Sequence, residues 1–255
     1  MRPVEVLRSG EGPPVVLVHG DVLSARTAWA AQERLAGRYS LRLVNRRGYG
    51  GSPSVAGQDF LVDAQDVAEA LEEGAHLVGH SFGAVAALIA AGHHPGRVRS
   101  LTVVEPLVLA LVRKRPDARA FVRRYAEIAA RCHSPESFLE EYLVLVGTAS
   151  NSVAPALPAT LPPRMRRAVV TQMRGKCPWE AELPLAALGH APFPRLVVSG
   201  GHHDLFQSAG SALARAIGAE HLVLSGAGHV VQALGAPFND ALTRLWQSRP
   251  EPAHA

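Results

Sequence analysis

The fold is decided by a stretch that reads Leu77-Val78-Gly79-His80-Ser81-Phe82-Gly83-Ala84-Val85. A short apolar strand runs directly into a helical run of apolar residues, and Gly-x-Ser-x-Gly stands at the junction. In this context the pattern is typical of a nucleophile elbow, a tight strand-to-helix turn that presents a strained serine. Because Gly79 and Gly83 lack a Cβ, the strand and the helix can approach closely around Ser81. The helix start also places unpaired N–H groups and a partial positive charge beside that serine.

Strands and helices alternate on both sides of this turn. The continuous apolar run at 15–18 is typical of a strand buried on both faces, and 101–104 and 195–199 are predicted as further strands. Residues 59–73 have the periodicity of an amphipathic helix. This alternation predicts an α/β fold with a mostly parallel, doubly wound sheet and helices on both faces. A chain of 255 residues that is 47% hydrophobic is long enough for one such domain with an insertion.

The alternation breaks between residues 107 and 191. Helical patterns and one loop-like stretch fill this interval: helices at 107–112, 118–131, 134–146 and 164–174, and the loop at 147–163. We therefore predict a core formed by residues 1–106 and 192–255, with an inserted helical cap at 107–191. After the cap the alternation resumes, and a helix is predicted over 208–217.

Four predicted strands end in residues that are capable of chemistry. They are Asp21, Ser81, Asp204 and His229. Because ligands bind at the carboxyl ends of the strands in open α/β sheets, we expect these side chains to lie near one another. The order serine, acid, histidine is that of an elbow-bearing triad. In this interpretation Ser81 is the nucleophile, His229 the base and Asp204 the carboxylate that orients the imidazole.

Five ordered segments resemble the α/β-hydrolase superfamily, specifically its cap-bearing serine esterase and epoxide-hydrolase-like branch. The segments span nearly the whole chain: Val18-His19-Gly20, Arg46-Arg47-Gly48-Tyr49-Gly50-Gly51-Ser52, Gly79-His80-Ser81-Phe82-Gly83, Gly201-His202-His203-Asp204 and Gly228-His229. The resemblance is weakest in the cap. It implies an α/β-hydrolase fold and an oxyanion hole formed by the backbone N–H groups of Asp21 and Phe82. Ser81 argues against the dehalogenases and epoxide hydrolases of the superfamily, which use an Asp at the elbow.

Two acidic residues leave alternatives open. Glu105 ends the strand just before the cap, where some members of the resembling family place the triad acid, so it is an alternative to Asp204. Asp21 stands where that family usually has an apolar or neutral residue. Its side chain either points away and caps a turn, or faces the pocket as a further acid, base or substrate-orienting group.

The triad pattern predicts a serine hydrolase that cleaves an ester, thioester or lactone-type small molecule through an acyl-enzyme. The same residues also fit C–C bond hydrolysis, acyl transfer or ring closure, because the fold does not determine the reaction. A non-catalytic ligand-binding protein on the same fold is the alternative from another class. The complete set of serine, acid and histidine argues against it.

We expect a small-molecule substrate, and the charge pattern argues against a nucleic-acid partner. The net charge is +4, but no run of Lys and Arg is interleaved with aromatic residues, which argues against a nucleic-acid partner. Twelve of the 26 Lys and Arg residues lie in 107–191, against seven acidic residues. This excess indicates either a solvated helical face or arginines that bind an anionic substrate.

No cofactor or metal is expected, because Cys132 and Cys177 lack metal-ligand spacing and no recognisable third ligand accompanies His202 and His203. Without a signal-peptide pattern or a membrane-spanning apolar run, the chain is expected to be cytoplasmic and to have no membrane partner. We expect a monomer or a homodimer.

Overall fold

The computed structural model describes residues 2–147, 158–226 and 228–247. Most of the loop predicted at 147–163, and residues 248–255 of the predicted core, lie outside the described residues. Within the described part, the chain forms one sheet with helices on both faces.

The sheet has seven strands among the described residues. They are β1 (Val6–Ser9), β2 (Pro14–Val18), β3 (Ser40–Val44), β4 (Ala75–His80), β5 (Val98–Val104), β6 (Arg195–Ser199) and β7 (Glu220–Val223). Their order across the sheet is β1-β3-β2-β4-β5-β6-β7. β1 pairs with β3 in the antiparallel sense, and the other neighbours are parallel. The prediction of a mostly parallel, doubly wound sheet is confirmed.

Helices connect most of the strands. They are α1 (Ala25–Ala28), α2 (Phe60–Leu71), α3 (Phe82–His93), α4 (Pro116–Arg131), α5 (Pro135–Leu145), α6 (Pro163–Met173), α7 (Leu185–His190), α8 (Asp204–Ile217) and α9 (Ala236–Gln247). Short 3-10 segments occupy Ala30–Gly37, Pro95–Arg97, Leu109–Val112, Pro178–Glu180 and Val231–Leu234. Of the helices in the described ranges, none is both long enough and apolar enough to cross a membrane.

The central strands β2 and β4 are buried along almost their whole length because both faces of the sheet are covered. Val16 and Leu77 belong to a core shared with α2, α3 and α8. Their chain neighbours Leu17 and Val78 belong to a second core, shared with α1 and α9. Since successive side chains of a strand point to opposite faces, the two cores lie on opposite sides of the sheet.

The largest difference between a predicted and an observed helix boundary is at α8. α8 begins at Asp204, four residues before the predicted start at Ser208, because His203 adopts an extended backbone and accepts a bond from the N–H of Leu205 at 3.2 Å. The ring nitrogen of His203 thus serves as the N-cap of α8. The helix predicted at 107–112 is shorter, a 3-10 segment over Leu109–Val112.

Helices α4 to α7 lie between β5 and β6, in the interval predicted to be inserted. This segment is attached to the loop that follows β3. Arg167 of α6 donates to the carbonyls of Gly48 and Gly50, and the N–H of Lys176 donates to the carbonyl of Gln58 at 2.9 Å. These hydrogen bonds therefore fix the loop after β3 to the inserted segment.

A buried ion pair holds the same loop to α2. The guanidinium of Arg47 donates to both carboxylate oxygens of Asp66, each at 2.7 Å, and both side chains are more than nine-tenths buried. This fork-to-fork geometry is the strongest arrangement of such a pair. Because both charges are out of water, the loss of either partner leaves the other uncompensated.

We expect Arg47→Met to lower the free energy of unfolding by about 3–5 kcal/mol, because Asp66 then remains buried without its counter-ion. Arg8→Met is the matched control, since Arg8 and Glu72 form an exposed pair and such pairs contribute at most about 1 kcal/mol. Urea unfolding followed by circular dichroism measures both. Equal effects of the two substitutions would contradict the prediction.

Candidate active site

Ser81 lies in the strained turn between β4 and α3. Its backbone has φ 53° and ψ −118°, a conformation that a residue with a Cβ rarely adopts and that costs on the order of 1–3 kcal/mol. The turn is tightly packed: a Cβ on Gly83 would overlap the carbonyl oxygen of His19, and a Cβ on Gly20 would lie 2.8 Å from the Cβ of Ser81. These glycines let the loop after β2 lie directly against the serine.

Ser81, His229 and Glu105 form a continuous chain of hydrogen bonds. Ser81 Oγ lies 3.0 Å from His229 Nε2, and His229 Nδ1 lies 3.1 Å from Glu105 Oε2. All three residues are at least 95% buried. The imidazole is thus placed to accept a proton from the serine on one side and to donate to a carboxylate on the other.

The structure brings Ser81 and His229 together as predicted, but it does not bring Asp204 to them. Asp204 is exposed on the first turn of α8, beside a surface cavity of about 550 Å³ that Arg115 also lines. Because α8 starts at Asp204 itself, the side chain projects from the helix towards solvent. The expectation that Asp204 orients His229 is therefore corrected: the carboxylate on His229 Nδ1 is that of Glu105.

Glu105 is held in this position by the ends of two strands. Its N–H donates to the carbonyl of Val198 at 2.8 Å, and its Oε1 accepts from the N–H of Gly200 at 2.5 Å. Its φ of 48° is also unusual for a residue with a side chain. The strain and the bonds to the end of β6 together turn the carboxylate towards His229.

Burial changes the pKa values of both partners. It raises the pKa of Glu105 to about 7, against the effects of the Gly200 N–H and of nearby His202. It lowers the pKa of His229 to about 4, against the negative charge of Asp21. A neutral imidazole is the form that can take the proton of Ser81, and burial favours that form.

His80, in the variable position of the elbow, contributes more than the sequence indicated. Its Nε2–H donates to the backbone carbonyl of His229 at 2.9 Å. Burial lowers its pKa to about 3, so the ring is neutral. His80 therefore fixes the loop that carries the base to the turn that carries the serine.

The resemblance assigns an oxyanion hole to the backbone N–H groups of Phe82 and Asp21. Phe82 is the first residue of α3, so its N–H has no carbonyl partner within the helix. Asp21 follows β2, the strand adjacent to β4, in a turn closed by a bond of 2.8 Å from the N–H of Leu23 to the carbonyl of Asp21. Val22 at its centre has φ 70°, as in the rare γ-turn of positive φ.

The Asp21 side chain does not cap this turn. Its Oδ1 accepts from Arg46 at 2.8 Å and from the Tyr49 hydroxyl at 3.2 Å. Arg46 also donates to Asp63 at 2.9 Å and to the carbonyls of His19 and Gly20 at 3.1 and 3.0 Å. One buried guanidinium thus joins the loop after β2, the loop after β3 and α2.

Sequence reasoning described the loop at Arg46 but did not assign this residue a role. A signal was present: two successive arginines follow a buried strand, and two acids, Asp63 and Asp66, stand three apart on the next helix. That spacing places both carboxylates on one face of α2. Arg46 forms an ion pair with Asp63, and Arg47 forms one with Asp66.

Aromatic rings cover the other side of the base. Phe206 of α8 lies 5.4 Å from the ring of His229, measured between centroids. Further rings continue from Phe206 into the inserted helices: Phe121, Trp179, Tyr125, Phe138 and Tyr142. The space beside the base is therefore bounded by apolar surface.

One cluster near the site has the donor set of a cation site. Ligand atoms of Glu105, His202 and His229 lie within 4.8 Å of one another. His202 Nδ1 is buried and lies 3.9 Å from Glu105 Oε2, and it has no hydrogen-bond partner among the residues that the structure describes. Spacing along the chain did not reveal the cluster, because Glu105 lies far from the histidines in sequence. A cation there would compete with the bond between Glu105 and His229.

Comparisons with known proteins agree with this architecture. A family model described as "Alpha/beta hydrolase family" matches residues 15–241. A pimeloyl-[acyl-carrier protein] methyl ester esterase of Aeromonas hydrophila is 37% identical over 103 residues, which are 40% of this chain and 41% of that protein. A protein of the same description from Methylococcus capsulatus is 39% identical over 101 residues, 38% of each chain. The chain thus spans about two fifths of the length of these curated relatives.

Solved structures match over nearly the whole chain. A hydrolase from Pseudomonas aeruginosa superposes with a TM-score of 0.71 at 20% identity, over 95% of this chain and 94% of that one. Est816, described as an N-acyl homoserine lactone degrading enzyme, has a TM-score of 0.65 at 24% identity, over 94% and 96% of the two chains. At these identities the likeness establishes the fold.

We expect Glu105→Gln to lower kcat for a simple p-nitrophenyl ester roughly a hundredfold or more, because the neutral amide neither holds the imidazole tautomer nor stabilises its cation. Asp204→Asn is the matched control and is expected to retain kcat within about twofold, as surface substitutions do. Steady-state kinetics of the two purified variants measure this difference in kcat. Loss of activity in Asp204→Asn with retention in Glu105→Gln would reverse the assignment.

Proposed function

Because the chain belongs to the alpha/beta hydrolase family, we propose that it is a serine hydrolase that cleaves an ester, thioester or lactone-type small molecule through an acyl-enzyme. The observation that carries the proposal is the bonded chain from Ser81 Oγ through His229 to Glu105 Oε2, with both bonds near 3 Å. A serine hydroxyl is a weak nucleophile until an adjacent base accepts its proton. Here the base, His229, is hydrogen-bonded both to Ser81 and to Glu105, the residue that orients it.

In the first step, Ser81 Oγ attacks the carbonyl carbon as its proton passes to His229 Nε2. The imidazolium that forms is stabilised by the carboxylate of Glu105. Its Nδ1–H donates to Glu105 throughout, so the proton accepted from serine is held on Nε2. The chain of bonds therefore fixes which nitrogen acts as the base.

The oxyanion formed by this attack would be bound by the N–H groups of Phe82 and Asp21. Gly20 supports this placement, since its backbone packs against the Cβ of Ser81 and brings the following residue beside the nucleophile. The N-terminus of α3 adds a partial positive charge at the same point. Both donors belong to a rigid backbone, so they need little reorganisation during the reaction.

Collapse of the intermediate transfers the proton from His229 Nε2 to the leaving alcohol or thiol. A water molecule, activated by the same nitrogen, then attacks the acyl-enzyme and releases the acid. No cofactor is required for these steps. Serine, histidine and glutamate are all regenerated.

We assign residues 107–191 as the cap that bounds the substrate space. The aromatic rings beside His229 favour an apolar substrate body. Five of the basic side chains in this segment lie in surface ion pairs among the described residues: Arg115, Arg124, Arg131, Arg166 and Lys176. This supports the solvated-face interpretation of the basic excess. The esterase names of the relatives support an ester as the first class to test.

The pH profile tests the coupled pair. With the pKa of Glu105 raised to about 7 and that of His229 lowered to about 4, the pair binds one proton between these values and none above them. The reactive form has neutral His229 and ionised Glu105. We therefore expect kcat/KM to rise with pH and to level off above about pH 7.

In Glu105→Gln only the histidine of the pair titrates, so the acid limb of kcat/KM is expected to move to lower pH. Profiles of both proteins on one ester, from pH 4 to 9, measure the shift. An unchanged limb in Glu105→Gln would show that Glu105 does not titrate with the base.

A fluorophosphonate probe tests the nucleophile. We expect covalent labelling of the wild-type chain at Ser81, because the activated Oγ attacks phosphorus as it would attack a carbonyl. Ser81→Ala should show no labelling, and intact-protein mass spectrometry measures both. Ser52, which is also buried but is bonded to the carbonyl of Asn45, provides the control: Ser52→Ala should still label. No labelling of the wild type would favour a non-catalytic binding protein.

A further inference from the structure

The carboxylate of Asp21 is a buried charge placed close to the nucleophile. Only 4% of its side chain is exposed. Arg46 and Tyr49 both donate to Oδ1, and within the described residues no hydrogen bond is found to Oδ2. Oδ2 is therefore available to accept a hydrogen bond from a ligand or a water molecule.

Asp21 shares its positive partner with a second carboxyl group. Arg46 is shared between Asp21 and Asp63, so one guanidinium faces two carboxyl groups. Burial raises the pKa of Asp63 to about 6, which is still below neutral pH. The single guanidinium of Arg46 therefore serves two buried carboxyl groups, and burial opposes the ionisation of Asp63.

The negative charge of Asp21 acts on groups that surround the substrate space. After burial it is the second cause that raises the pKa of the Tyr142 hydroxyl in α5. It also opposes the effect of burial on the pKa of His229. Tyr49, which donates to Asp21, lines a cavity of about 450 Å³ together with Val22 and with Met165 of α6. Val22 and Tyr49 therefore connect the Asp21 loop to this cavity.

The strand order decides which part of a substrate would meet Asp21. Asp21 follows β2, on one side of β4 and Ser81, whereas Glu105 follows β5 and His229 follows β7, on the other side. The leaving group must face His229 to receive its proton. The carbonyl oxygen is then bound on the β2 side, and the first carbons of the acyl chain lie next to it. Only Cα and Cβ separate the Asp21 carboxylate from the N–H that would bind this oxygen.

We propose that the Asp21 carboxylate selects acyl groups that carry a hydrogen-bond donor, a hydroxyl or an ammonium, on the α or β carbon next to the scissile carbonyl. The donor satisfies Oδ2, and an acyl carboxylate at the same position is repelled. This inference rests on the proposed function, because it assumes that Ser81 attacks the carbonyl.

The test compares kcat/KM for four ethyl esters: butanoate, its β-hydroxy derivative, its β-amino derivative and the monoanion of succinate. We expect the wild-type chain to prefer the two donor-bearing esters to butanoate by roughly tenfold or more, as a hydrogen bond to a charged group provides, and to disfavour the succinate. In Asp21→Asn, the preference for the hydroxy ester should fall about tenfold and the discrimination against succinate should weaken. A larger gain for the amino ester than for the hydroxy ester identifies charge as the selected property, and equal gains identify the hydrogen bond.

Two further variants keep the inference open to refutation. Tyr49→Phe removes one donor to Oδ1 but keeps the carboxylate, and Asp204→Asn removes an exposed carboxylate; both should retain the preference. Thermal unfolding of each variant checks that it is folded. Equal kcat/KM for butanoate and its hydroxy derivative in the wild type, or an unchanged preference in Asp21→Asn, overturns the inference while hydrolysis of butanoate still supports the proposed function. If none of the esters is hydrolysed and Ser81 is not labelled, both fail.

Discussion

The guanidinium of Arg46 is a positive charge almost entirely removed from water, and the architecture of the site depends on how that charge is neutralised. A buried charge is tolerated only when it is paired and fully hydrogen-bonded. Arg46 meets this condition by donating to the carboxylates of Asp21 and Asp63. It also donates to the backbone carbonyls of His19 and Gly20. Its plane also lies over the ring of Phe82, 4.4 Å from the centroid. The loop after β2 and the start of α3 are therefore held by one side chain.

Two of the four non-glycine residues with positive φ in the described part of the chain lie at neighbouring strand ends. Ser81 and Glu105 both have positive φ, and each is held by an N–H bond to the adjacent strand: Ser81 to Val104, and Glu105 to Val198. Such backbone persists only where the surrounding structure enforces it, and it clusters at functional sites. The parallel order of β4, β5 and β6 supplies these carbonyls in succession. The sheet thus provides both the position of the two side chains and the bonds that offset their strain.

Local patterns predicted the parts of this molecule that depend on neighbours in sequence. Apolar runs located the buried strands, and the turn at Gly79-His80-Ser81-Phe82-Gly83 located the serine. The acid partner of His229 was not determined, because the choice between Asp204 and Glu105 depends on where α8 begins, and the cap formed by His203 started the helix earlier than predicted. The bond between Arg46 and Asp21 was missed for a related reason. This bond joins two loops that meet only when β2 and β3 pair. Hydrophobic periodicity along the chain does not predict such a contact.

At position 21, the backbone N–H and the side chain are subject to different sequence constraints. Every amino acid except proline supplies the backbone N–H that we propose as an oxyanion donor, whereas the carboxylate depends on aspartate alone. A substitution at this position can therefore alter which acyl groups are accepted while the amide donor is inherited unchanged. Because Arg46 supplies the counter-charge from another loop, such a change would favour a second change at position 46. The two positions form a unit through which descendants of this chain could diverge in specificity without rebuilding the strained turn that carries the serine.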